Sequence, residues 1–231
     1  MVKKLEWDSN FFGYQVGLKT INSIEEFQLD SLMEELKTFK LIYVYSDVEL
    51  SENNNLLLVD TKVDFFKSLE NDFDVTEIEE FDLNTHSYKE LLDLAYLSGN
   101  VSRFKVDSNF SNNEFEKLYK EWVNNSVNKI IAFKTLVKTI NNKVVGFITL
   151  GEKDSDTAKI GLIAVNEMFQ GKRIASKLIE SCEMISKQKK YSGLEVSTQF
   201  TNSKAMAFYK KQNFHIKNTT YIYHLWNYDT I

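Results

Sequence analysis

The residues from Gln170 to Ser176 have the types and spacing to hold an anion. Gln170, Gly171, Lys172, Arg173, Ile174, Ala175 and Ser176 follow a strand-like run that ends Leu162-Ile163-Ala164-Val165 and lead into a helical run over 177–189. A strand that feeds a small-residue turn at a helix start aims several backbone N–H groups at one point. The positive end of the helix dipole lies at the same point, which suits a phosphate. Further on, Asn202 and Tyr209 share a second predicted helix, 202–212. An amide there can both donate and accept a hydrogen bond. A tyrosine of ordinary pKa, about 10, keeps its proton near neutrality and can act as an acid.

The elements that must position these groups are legible in outline. The predicted order around them is strand 159–165, helix, strand 194–198, helix. Upstream, strands 131–140 and 143–150 flank Asn141-Asn142, a hairpin signal. A helix over 112–127 carries Phe115, Leu118, Tyr119, Trp122 and Val123 at helical spacing, which reads as a core face. Another spans 87–97 and ends at Gly99. The first part reads as strand 15–20, then a helix over 23–38 capped by Ser23 with Glu26 completing a capping box. Strands at 41–45, 56–60, 62–68 and 75–81 follow, and 214–217 with 220–225 close the chain as a strand pair. Two domains are expected, 1–85 and 86–231.

Gln170-x-x-Arg173-x-Ala175 resembles the Q/R-x-x-G-x-G/A acyl-CoA pyrophosphate loop of the GNAT N-acetyltransferases. Asn202-x-x-Ala205-x-x-x-Tyr209, closed by Asn213-Phe214, resembles their second motif, N-x-x-A-x-x-x-Y-x-x-x-G-F. Arg173 stands where the family has glycine; it fits if that position has helical dihedrals, since positive φ or very close backbone approach is what requires glycine. Asn213 replaces the last glycine, and Asn tolerates a left-handed cap. The resemblance implies an α/β GNAT fold: a mixed, mostly antiparallel sheet whose central parallel strands splay apart, preceded by a smaller mixed α/β domain. It implies acetyl-CoA as co-substrate, held by Ala164, Val165, the 170–176 loop, Asn202 and Ala205. Backbone groups at Ile163 and Val165 would stabilise the oxyanion, and Tyr209 would be the general acid. Asn202 suits a helix N-cap as well.

Three further segments resemble one GNAT branch, the TDP-fucosamine (TDP-4-amino-4,6-dideoxygalactose) acetyltransferases of surface-glycan synthesis. They are Leu5-Glu6-Trp7-Asp8-Ser9-Asn10-Phe11-Phe12-Gly13; Ser98-Gly99-Asn100-Val101-Ser102-Arg103-Phe104 with the helix that follows; and Glu195-Val196-Ser197-Thr198-Gln199. The branch implies a nucleotide-linked amino sugar as acceptor, contacted by Phe12, Ser102, Arg103, Phe104 and Gln199. A guanidinium fork at Arg103 matches a phosphate bidentately. A GNAT acting on another amine, such as a peptide N-terminus, polyamine or antibiotic, and a non-catalytic GNAT-like binding module are the competing readings.

Composition sets the remaining bounds. A net charge of −5 without a basic block disfavours nucleic acid as partner. No apolar run approaches the roughly 20 residues of a membrane helix, and the N-terminal run is too short for a signal peptide, so a cytoplasmic enzyme is expected. The one cysteine, Cys182, reads as a buried structural thiol. His86, His215 and His224 lack metal-ligand spacing, and no metal is expected. The closing strands could pair two copies across a two-fold axis. Turns must rely on Asn, Asp, Ser and Gly, because the chain has no proline.

Overall fold

The structure, a computed structural model, describes residues 1–51, 55–69 and 77–228. In chain order the elements are β1 (Lys3–Lys4), α1 (Glu6–Phe12), β2 (Val16–Ile21), α2 (Leu29–Leu36), β3 (Leu41–Ser46), β4 (Leu56–Ser68), β5 (Glu79–Glu80), α3 (Tyr88–Ser98), α4 (Arg103–Val106) and α5 (Glu114–Val127). They continue with β6 (Lys134–Ile140), β7 (Lys143–Glu152), β8 (Thr157–Val165), α6 (Ile174–Gln188), β9 (Gly193–Gln199), α7 (Ser203–Lys211) and β10 (His215–Trp226). The chain packs into two compact units. Unit 1 is Met1–Val63, Gln199–Thr201 and Asn218–Ile231; unit 2 is Asp64–Thr198 and Asn202–Lys217. The boundary expected at 85/86 falls inside unit 2.

Unit 1 orders its strands β1-β2-β3-β10-β4. β2 and β3 are parallel, so a crossover must join them, and α2 supplies it. Leu32 and Leu36 of α2 bury against Ile21, Ile42, Val44 and Leu225. The Tyr223 hydroxyl accepts from Leu50 N–H at 2.7 Å and fastens the segment after β3. The expected helix 23–38 is broken in two. A single turn at Ile24–Glu26 stops at Phe27, whose backbone is extended and whose side chain packs against this core. Burying the ring outweighs helix continuity there. Nor does the capping box close: Glu26 accepts from Asn22 N–H at 2.9 Å instead of reaching Ser23. The strands expected at 56–60 and 62–68 are one strand, β4, and those expected at 214–217 and 220–225 are one strand, β10. In the strand order β10 lies between β3 and β4, and its register with β3 runs from Tyr221↔Ser46 to Trp226↔Leu41.

Unit 2 orders its strands β4-β9-β8-β7-β6-β5. Pairing from β5 through β8 is antiparallel, and β8–β9 is parallel with α6 as the crossover. Asn141 and Asn142 turn the β6–β7 hairpin with φ of 51° and 59°, the mirror-image turn geometry that matches strand twist. Of the strand expected at 75–81 the structure shows Glu79–Glu80; residues 75 and 76 lie outside the described residues. α3 starts at Ser87, whose side chain accepts from Glu90 N–H. Its last residue is followed by Gly99, which has φ −98° and is not a left-handed cap. Glycine is needed there because a Cβ would lie 2.3 Å from the ring of Tyr119 on α5.

Gly99→Ala therefore overpacks the α3–α5 contact. The expected loss is about 1–3 kcal/mol, read as a lower urea midpoint with an unchanged m-value. An unchanged midpoint would show that Tyr119 moves aside without cost.

Candidate active site

The β8–β9 ladder runs from Thr157↔Gly193 to Ile160↔Val196 and stops, although β8 continues to Val165 and β9 to Gln199. On its other edge β8 stays paired with β7 through Ile148↔Ile163, Phe147↔Ala164 and Gly146↔Val165. Asn166 N–H donates to the Val145 carbonyl at 2.8 Å, and Leu162 N–H donates to Thr149 Oγ1 at 2.8 Å. Even-numbered residues of this stretch therefore turn toward β7. Successive residues of a strand present their N–H and C=O to opposite edges. Ile163 and Val165 thus face the edge from which β9 has departed.

The loop after β8 returns to this edge. Gln170 Nε2 donates to the Val165 carbonyl at 3.1 Å. Gly171 has φ 75° with nothing within 4 Å of where a Cβ would stand. Arg173 has φ 62° and precedes α6 as its cap. The condition under which an arginine would fit, helical dihedrals, is not met: the position is left-handed, and an arginine holds it against the preference for glycine. α6 begins with no side-chain cap and no acidic residue in its first turn, so its leading N–H groups are left for an anion. Its first residue, Ile174, is buried so close to β7 that a Cβ on Gly146 would meet it at 2.9 Å. Lys172 and Arg173 are exposed beside the open N–H groups; Lys177 is partly buried.

α7 stands next to this turn. Gln212 Nε2 donates to Ser176 Oγ at 3.1 Å, tying the end of α7 to the first turn of α6. Asn202 Oδ1 accepts from Ala205 N–H at 3.1 Å, so Asn202 is the helix N-cap. Asn213 is left-handed, φ 63°, as its place in the motif requires. Tyr209 is buried, with its ring 5.5 Å from Phe65 and 5.9 Å from Phe214. Burial pushes the phenol pKa up, and the hydroxyl makes no hydrogen bond among the described residues.

A cavity of about 240 Å³ lies over β7 and β8, lined by Trp122, Ser126, Thr149, Lys159, Gly161 and Leu162 among others. Gly146 approaches α6, whereas a Cβ on Gly151 would meet the Ile131 carbonyl at 2.5 Å, so the cavity and α6 lie on opposite faces of β7. Glu152 also lines it and accepts from the Tyr191 hydroxyl at 2.7 Å, which pushes the tyrosine pKa up. Helical spacing alone places Trp122 with the core residues of α5, and nothing local in the sequence singles out Thr149. The available signal was Gly161, a lone glycine inside an apolar strand, which marks a bulge or a close approach. Ser102 caps α4 by accepting from Phe104 N–H at 3.4 Å, and Phe104 packs edge-on to Trp122 at 6.2 Å. The Arg103 guanidinium lies 4.6 Å over the Phe104 ring. This segment therefore backs the cavity wall. Phe12 and Gln199 belong to unit 1, where Phe12 stacks on Tyr14 at 5.7 Å. Cys182 is fully buried, and desolvation pushes its thiol pKa far up, so it is inert. Among the described residues no helix is long and apolar enough to cross a membrane.

Residues 103–214 match the model of the Acetyltransferase (GNAT) family. The chain is 29% identical over 136 residues to the spore coat polysaccharide biosynthesis protein SpsD of Bacillus subtilis (strain 168), covering 59% of this chain and 46% of that protein. It thus spans about half the length of that relative. Among solved structures, an acetyltransferase from the GNAT family of Colwellia psychrerythraea superposes with a TM-score of 0.57 at 12% identity, covering 87% of this chain and 74% of that one. The PaiA N-acetyltransferase from Thermoplasma acidophilum, in complex with coenzyme A, superposes with a TM-score of 0.50 at 17% identity, covering 67% of this chain and all of that one (100%). These likenesses establish the fold.

Arg173→Gly relieves a left-handed residue and is expected to stabilise the protein by about 1 kcal/mol. Gly171→Ala imposes the same strain and should destabilise by a similar amount. Paired urea titrations read both, and a loss of stability in Arg173→Gly would show that the arginine side chain outweighs its backbone strain.

Proposed function

Proceeding from the GNAT acetyltransferase domain that this chain carries, we propose that it moves an acetyl group from acetyl-CoA to the amine of a nucleotide-linked amino-dideoxy sugar, of the TDP-4-amino-4,6-dideoxyhexose type, for surface-glycan synthesis in the cytoplasm. The observation that carries the reading is the parting of β8 and β9 after Ile160↔Val196, with an uncapped helix start at one end and a cavity of mixed polarity beside it. The relative named for spore coat polysaccharide biosynthesis supports the sugar class. An indole wall and two hydroxyls suit a hydroxylated ring with one apolar face.

The residues present fit acetyl-CoA. The N–H groups at the start of α6 and the space over Gly171 fit a pyrophosphate, and Val165 offers its backbone N–H to an amide-bearing arm. Acetyl-CoA supplies the activated acyl group as a thioester. Ile163 N–H, turned into the gap, is placed to hold the carbonyl oxygen as it gains negative charge; such donors are worth roughly 10²–10³-fold in rate. Tyr209 holds the proton that the leaving sulfur takes up. Arg103 is the candidate for the acceptor's phosphates, and the seam itself aligns donor and acceptor. A second reading is a cationic amine such as a polyamine or a peptide N-terminus. It is favoured by Glu152 on the cavity wall and by Asp154 and Asp156 just beyond it.

Tyr209→Phe is expected to lower kcat by about 10²-fold while acetyl-CoA affinity stays nearly constant. Because burial raises the phenol pKa, Tyr209 remains protonated as pH rises from 7 to 10. Loss of a Tyr209 proton thus adds no basic limb to the wild-type pH profile in that range. Equal turnover in the variant would remove the assignment.

The acceptor is tested by thiol release from acetyl-CoA against TDP- and UDP-amino sugars, spermidine and short peptides. Release with a TDP-4-amino sugar alone supports the proposal. Release only with spermidine or peptides supports the second reading and overturns the first.

A further inference from the structure

Across the β7–β8 pair the register changes between Ile148 and Leu150: Ile148 faces Ile163, but Leu150 faces Ile160. Thr149 alone therefore stands opposite two residues, Gly161 and Leu162. Carried on from Ile148↔Ile163, the ladder would give Leu162 N–H the main-chain carbonyl of Thr149; carried on from Leu150↔Ile160, it would give that carbonyl to Gly161 N–H and turn Leu162 away. The Thr149 side chain, Oγ1, accepts the Leu162 N–H at 2.8 Å. Thr149 is 2% exposed, so this bond is made away from bulk water. Gly161 belongs to the same device: a Cβ there would stand 2.9 Å from Thr149 Oγ1. The cross-strand neighbour, Thr135, is buried with an Oγ1 that has no hydrogen-bond partner among the described residues, so no threonine ladder explains the placement.

The consequence follows from the two-residue period of a strand. A one-residue slip exchanges the groups presented at the two edges. Without the bulge, Leu162 and Ala164 would turn toward β9 in place of Ile163 and Val165. We propose that Thr149 is a positioning residue for acetyl transfer, its side-chain oxygen standing in for a main-chain carbonyl and holding β8 in the register that turns Ile163 N–H into the gap. This rests on the acetyl-transfer reading above and gives that site a determinant on the neighbouring strand.

Thr149→Val keeps the shape and removes the acceptor; Thr149→Ser keeps the acceptor. Amide hydrogen exchange at Leu162 and Ile163 is measured in both, with kcat at saturation and acetyl-CoA affinity. Thr149→Val is expected to speed exchange at Leu162 at least about tenfold and lower kcat by about 10²-fold. Affinity for acetyl-CoA should change only a few-fold, and Thr149→Ser should restore exchange and kcat. A Thr149→Val enzyme with kcat within twofold of wild type overturns the proposal, as does a Ser variant that restores nothing. Should Thr149→Val not fold, Gly161→Ala displaces Oγ1 from the other side. It is expected to lower kcat, with Thr149→Ala adding no further loss to it; additive losses overturn the proposal. The exchange readout needs no acceptor, so it stands even if the sugar assignment fails.

Discussion

Two parallel strands that share four rungs and then part set the terms for the rest of unit 2. Parallel neighbours need a long crossover, and α6 provides it, which fixes a helix start beside the point of parting. Beyond the last rung β8 keeps β7 on one edge. The peptide groups it turns to the other edge have no β9 partner in the ladder, yet buried peptide groups are almost always paired. The seam is thus a stretch of sheet edge held open inside a sheet. The bulge at Gly161–Leu162, the close seat of Ile174 on Gly146 and the bond from Gln170 to Val165 all serve to hold it in that state. α3 and α5 add a wall on the opposite face from α6, and their own contact depends on a glycine.

Charge near the seam is more constrained than a count of lysines suggests. Lys159 lines the cavity but lies 3.8 Å from Glu195, which also receives Lys153 at 3.3 Å and Lys217 at 3.2 Å. Glu195 is buried, and a buried carboxylate without partners would be costly, so this cluster secures the paired end of β8 and β9. A second buried acid, Glu183 on α6, has Lys67 at 2.5 Å; desolvation raises its pKa while the ammonium lowers it. Both networks anchor strands. Neither provides a loose positive charge for a ligand.

Much of this was legible in the sequence because it depends on local signals. The strand-turn-helix at 159–189, the Asn-Asn hairpin and the motif around Asn202 and Tyr209 declare themselves by period, turn chemistry and residue type. What escaped depends on contacts between distant residues. Gly99 looks like a helix cap, but it is a relief for Tyr119. Arg173 appeared compatible with helical dihedrals, and only the path of the loop reveals a left-handed residue. Phe27 ends a helical turn because a core lies within its reach. β4 and β10 were each divided in two because polar residues in mid-strand imitate a turn. Trp122 shares the spacing of core residues, and only the packing of α5 over β7 and β8 shows that it lines a cavity.

The turns here are made by asparagine, glycine and a few strained residues, with no proline anywhere in the chain. That choice reaches beyond the folded state. An X–Pro bond equilibrates between isomers over tens of seconds in an unfolded chain and divides it into fast and slow populations. This chain has no such bond, so its unfolded molecules start refolding as a single class. The parallel pairings of β2 with β3 and β8 with β9 join residues distant in sequence, the kind of contact that slows folding.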